Sequence, residues 1–140
     1  MARPTSFRLS EDLRSRLEDE ASRRGASVTA VVASMLDEGL KTRRFPGIVY
    51  RDGPTGRRAG VLGGPDVWEI VRAVRDTPGN GEERIRSLAH QVDLPISRVR
   101  SALDFYGAFP TEIDLRIEAD ELAMDRVRHL TDRRDRLIKG

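Results

Sequence analysis

Arginine has the widest chemical reach of any residue type in this 140-residue chain: nearly all the positive charge is Arg, with Lys only at Lys41 and Lys139. A guanidinium pairs with phosphate or a guanine edge through two hydrogen bonds, although a genome rich in G and C produces the same bias. With 25 basic and 23 acidic residues the net charge is only +2, so a uniformly basic surface is not on offer. Other chemistry is thin. Cys is absent, which removes disulfides, thiolate metal sites and cysteine nucleophiles together. His90 and His129 have neither each other at ligand spacing nor a Ser or Asp motif around them. The carboxylates alternate with Arg as solvated pairs do, and Gly60–Gly64 lacks the Gly-Lys-Ser/Thr ending of a phosphate loop. No catalytic residues, metal or cofactor are expected, and the chain does not read as an enzyme.

The elements that must position the arginines begin with Thr5-Ser6-Phe7-Arg8-Leu9-Ser10. On an extended chain Thr5, Phe7 and Leu9 fall on one side and Pro4, Ser6 and Arg8 on the other. A lone strand cannot satisfy its own backbone groups, and no similar strand follows within thirty-odd residues. The simplest supplier is the same strand from a second copy, antiparallel about a two-fold axis. Ser10 then caps a helix carrying Leu13, Leu17 and Ala21, with Gly25 as its stop. Ser27 caps a second helix with the stripe Val28, Val31, Val32, Met35, Leu36 and Leu40, closed by Lys41, Arg43, Arg44 and Pro46-Gly47. So short a unit cannot bury a core alone, which again predicts an intertwined dimer.

Phe7-Arg8-Leu9-Ser10-Glu11-Asp12-Leu13 followed by Arg24-Gly25-Ala26-Ser27-Val28-Thr29 resembles the ribbon-helix-helix repressors (CopG- and Arc-like) and the VapB-type antitoxins that share their fold. The resemblance covers roughly residues 3–44. It implies that paired strands lie in the DNA major groove, with Pro4, Ser6 and Arg8 as base readers. Arg8 can take guanine O6 and N7, and Ser6 can donate or accept, but Pro4 departs from the usual polar residue and cannot read an edge. It also implies a DNA phosphate on the second helix's N-terminus, at Ser27, Val28 and Thr29, with Arg3 as a further backbone contact.

Residues 46–64 form a linker or small hairpin, in which Ile48-Val49-Tyr50 can pair with Ala59-Gly60-Val61-Leu62. A three-helix, helix-turn-helix-like unit is expected over 65–110. It comprises a helix capped by Asp66, a second over about 82–91, and a third over 96–108 after the turn Val92-Asp93-Leu94-Pro95. Its candidate second DNA site is Ser97, Arg98, Arg100 and Ser101, while Trp68 and Tyr106 read as core. This half resembles a small helical family of unassigned function found in antitoxins. Its carriers are Arg58-Ala59-Gly60, Val67-Trp68-Glu69-Ile70-Val71, the run from Leu94 to Tyr106, and Pro110-Thr111-Glu112-Ile113-Asp114. That resemblance implies a neighbouring toxin of the PIN-like ribonuclease type.

Residues 111–140 read as a charged helix opened by Thr111 and polarised along its length. Six acidic groups stand against Arg116 alone up to residue 125, and Arg126, Arg128, Arg133, Arg134, Arg136 and Lys139 follow. So polar a helix frays unless something covers its apolar stripe. The candidates for toxin binding are Arg126, Arg128, Arg133, Arg134 and Arg136; a packed terminal helix or a dimer coiled coil is the alternative.

The expectation is therefore a mainly α protein: a ribbon-helix-helix swapped dimer over 1–45, then the helix-turn-helix-like bundle with its small hairpin and long terminal helix. Its expected role is a cytoplasmic antitoxin that represses its own operon and neutralises a ribonuclease toxin. Expected partners are operator DNA, a second copy (in one version a dimer of dimers) and the toxin. No apolar run approaches membrane-spanning length and no signal-peptide pattern is seen. A stand-alone ribbon-helix-helix transcriptional regulator, whose second domain binds a ligand or further DNA, is the alternative.

Overall fold

The computed structural model describes residues 2–140. The chain divides into two compact units, 1–43 and 44–140.

The first unit is a pair of helices. Helix α1 (Glu11–Arg24) starts where the Ser10 hydroxyl accepts the Leu13 N–H at 3.2 Å, and ends at Gly25 in the left-handed region (φ 62°). Helix α2 (Val28–Thr42) starts in the same way, with Ser27 accepting from Ala30 at 3.1 Å. Both caps satisfy N–H groups that a first turn cannot pair internally.

Ahead of α1 the expectation fails. Residues 2–10 form no strand and are exposed, so the ribbon is absent and with it the basis for a strand-swapped dimer. The only sheet among the described residues lies mid-chain. Within one chain nothing offers residues 4–9 a complementary edge, so their backbone groups stay unpaired by protein. This overturns the ribbon-helix-helix assignment, and the repressor and antitoxin architecture drawn from it; mainly α remains correct. Among the described residues of this unit only Ala21 and Val31 are buried, while Phe7, Leu9, Leu13, Met35, Leu36 and Leu40 are exposed.

The second unit is built around a hairpin and four helices. Strands β1 (Ile48–Arg51) and β2 (Arg58–Val61) pair antiparallel with Ile48 opposite Val61 and Arg51 opposite Arg58. Helices α3 (Val67–Asp76), α4 (Gly81–Gln91) and α5 (Ile96–Ala108) follow, and α6 (Pro110–Lys139) runs for 30 residues. Thr111 was expected to cap α6, yet the helix already includes Pro110. Proline suits a first-turn position, having no N–H to leave unpaired.

The core joins Val61 of β2 and Val67, Ile70 and Val71 of α3 to Leu88, Val99, Phe105, Ile113 and Ile117 of α4–α6. Phe105 is its centre, edge-on to Phe45 at 5.4 Å and tilted against Phe109 at 5.1 Å. Trp68 and Tyr106 pack against this core, half-buried. No helix among the described residues is long and apolar enough to cross a membrane.

A buried carboxylate ties the hairpin to α3. Asp66 is 5% exposed. It accepts from Arg51 Nε and Nη2 at 3.1 and 2.7 Å, from Arg58 Nε, and from Trp68 Nε1 at 3.2 Å. Arg51 also donates to the Gly64 carbonyl at 2.9 Å, and Glu69 accepts the Asp66 N–H at 2.8 Å. Two glycines leave room for the guanidinium groups. A Cβ on Gly60 would lie 2.5 Å from Arg51 Cζ, and one on Gly53 would overlap Arg58.

Burial pushes the Asp66 carboxyl up, but the hydrogen bonds and charges of Arg51 and Arg58 outweigh it and hold the group below the ordinary carboxylate range. A depressed folded-state value means stability that is complete above about pH 4, the unfolded value, and lost as pH falls through the folded one. Denaturant unfolding across pH 2–7 should show this loss. Asp66→Asn should be less stable at pH 7 by roughly 2–4 kcal/mol, with a shallower acid limb. Gly60→Ala should displace Arg51 and cost about 1–3 kcal/mol in the same unfolding assay, with no change in helix content by circular dichroism.

Candidate functional site

Helix α6 changes character at Asp120. Up to there it is bound into the second unit. Ile113 and Ile117 enter the core, and Glu112 accepts the Tyr50 hydroxyl at 2.9 and 2.8 Å. Asp114 pairs with Arg75 at 3.1 Å, Arg116 Nη1 donates to the Thr55 carbonyl at 3.0 Å, and Asp120 pairs with Arg72. Beyond Asp120 every residue but Asp135 is exposed, and the polar contacts resolved there, Arg128 with Asp125 and Arg134 with Asp135, are local to the helix.

This outer half nevertheless keeps an amphipathic pattern. Ala123, Val127, Leu130, Arg134 and Leu137 recur at alternating four- and three-residue steps, bordered by Met124, Thr131 and Ile138. Val127 is 63% exposed, Leu130 62% and Leu137 85%. A shallow hollow of about 400 Å³ along Ala123, Met124, Val127 and Thr131 is lined by α6 alone. Of the five arginines singled out here, Arg134 lies within the stripe, Arg126 and Arg133 border it on one side, Arg128 on the other, and Arg136 lies opposite. Such a surface suits an acidic groove with an apolar floor.

The residues expected to contact DNA fall on two different elements. Arg3, Pro4, Ser6 and Arg8 lie exposed on the irregular segment before α1, and Arg3 and Arg8 have no ion pair among the described residues. Val28 and Thr29 sit in the first turn of α2, where the Ser27 hydroxyl is already engaged as the cap.

The candidate second DNA site divides between half-buried and exposed side chains. Helix α5 is central, burying Val99, Ala102 and Phe105. Arg98 is half-buried with its guanidinium over Gly47, and Ser101 is half-buried. Arg100 forks onto Glu82 of α4, with Nη1 to Oε1 at 2.7 Å, and this hydrogen bonding holds the Glu82 carboxyl below its ordinary range. Ser97 and Arg100 are the exposed members of the four.

The Asp66 cluster and the Arg116–Thr55 link escaped the sequence reading. Their partners lie up to 61 residues apart; the signal that could have pointed to the cluster was glycine placed near arginine in a hairpin. The described residues hold no group of three or more His, Cys, Asp or Glu side chains able to bind a metal. No family model, no curated protein and no solved structure matches this chain.

Proposed function

We propose that the protein acts by binding rather than by catalysis, and that the outer half of α6 is its protein-contact surface. One observation carries this: from residue 121 onward the helix leaves the core while keeping an apolar stripe set among basic residues. A stripe buried against nothing contributes nothing to its own unit, and so polar a helix gains little from folding alone. Residues 126–140 hold six basic groups against Asp132 and Asp135, which selects an acidic partner.

Neutralisation of a ribonuclease toxin is the specific form we favour. A carboxylate-lined active site has the right charge, and Arg134, inside the stripe, is the guanidinium placed to enter it while Val127, Leu130 and Leu137 cover the rim.

Co-expression with the product of the adjacent gene tests this reading. The intact chain should form a stable complex and suppress ribonuclease activity. Leu130→Asp should weaken the complex about thirtyfold or more, the loss of a central anchor worth about 2 kcal/mol. Its own unfolding midpoint should stay essentially unchanged, because the side chain is exposed. A complex indifferent to Leu130→Asp and Val127→Asp retires α6 as the contact surface.

Duplex DNA as a partner of the first unit is a second reading, supported by the exposed, unpaired Arg3 and Arg8. On an irregular segment these side chains suit phosphates better than base edges. Arg8→Ala should weaken binding evenly across duplex sequences and reduce the slope of log affinity against log salt by about 1, measured by mobility shift over a salt series. Discrimination lost at one base pair would make Arg8 a base reader, and no binding by the intact chain would end this reading.

A further inference from the structure

The hairpin, the start of α3 and the first third of α6 border two adjoining hollows that share Arg58 and Arg116. The first, of about 260 Å³, is walled by these two with Arg57, Glu112 and Leu115. The second, of about 420 Å³, adds Arg51, Thr55 and Trp68. The carboxylates at this place are already engaged. Asp66 accepts from Arg51, Arg58 and Trp68, and Glu112 holds the Tyr50 hydroxyl on both oxygens.

The arginines are not fully used. Arg58 donates Nε to Asp66, yet its Nη1 is buried without a protein acceptor. Arg116 donates Nη1 to the Thr55 carbonyl, yet its Nη2 is buried without one. A guanidinium cannot shed its proton to relieve this, and buried donors in native proteins are rarely left unmatched. Two such donors, on residues that wall the same hollows, call for an oxygen acceptor.

We propose that Arg58 and Arg116 together bind a small oxyanion, a phosphoryl or carboxylate group carried by a small molecule. Guanidinium forks match either group, and hollows of this size fall toward the small end of ligand sites. Bound there, the anion bridges β2 to α6 and reinforces the place where Arg116 already meets the hairpin. The site lies apart from the outer half of α6 and stands whether or not that surface binds a protein.

The test is titration of the full chain with inorganic phosphate, and separately with acetate, at constant ionic strength and pH 7. The side-chain Nε–H resonances of arginine and the unfolding midpoint are followed together. Saturable movement of the Arg58 and Arg116 signals with a rise in midpoint is expected. Tighter binding of phosphate identifies a phosphoryl ligand, and tighter binding of acetate a carboxylate. Arg116→Gln should weaken the better anion at least about tenfold; if that variant fails to fold, Arg116→Lys, which keeps the charge but loses the fork, should weaken it instead. No saturable response to either anion, or a response unchanged in the Arg116 variant, overturns the proposal.

Discussion

The second unit depends on a carboxylate held between two guanidinium groups. A hairpin of two four-residue strands has too little apolar surface to stay on a helical bundle by packing alone. Asp66 solves this from the first residue before α3, reaching Arg51 on one strand and Arg58 on the other, so that strand pairing and helix start are fixed by one charge. Removing the carboxylate would leave two partly buried cations facing each other, which is why loss of that one member is costly. The glycines at 53 and 60 belong to the same device, since each leaves room for a flat guanidinium where a methyl group would intrude.

The two units differ sharply in how much they can do for themselves. The second buries a continuous core from β1 to Ile117. Among its described residues the first buries only Ala21 and Val31 and shows water an apolar side along the segment before α1 and along α2. Well-made caps at Ser10, Ser27 and Gly25 explain why its helices form where they do, but caps stabilise helix ends and do not supply a core.

Local chemistry was readable from the sequence, and long-range chemistry was not. Ser10, Gly25 and Ser27 marked the first two helices because capping involves residues three or four apart. The hairpin at 48–61 was one of two options for residues 46–64, from Ile48-Val49-Tyr50 and Ala59-Gly60-Val61-Leu62 flanking Gly53-Pro54. The strand before α1 was read from an alternation of side chains, yet alternation states only which face each residue would take, not whether an edge exists to receive it. Arg100 stands in the candidate second DNA site, and its pairing with Glu82 on the preceding helix is not visible in the sequence. Arg58 enters the sequence reading only within Arg58-Ala59-Gly60, because nothing near it in the chain shows that Asp66 accepts its Nε–H. The outer half of α6 was legible as charge and periodicity, since no other part of its own unit intervenes.

Helix α6 is unbroken across its anchored and free portions, about 45 Å from end to end at 1.5 Å per residue. A hydrogen-bonded rod of that kind bends little over such a distance. Its base is fastened to the hairpin by Tyr50 with Glu112 and by Arg116 with Thr55. The helix therefore works as a lever: whatever seizes its far end exerts torque on the hairpin mount, and a looser mount would let that end swing.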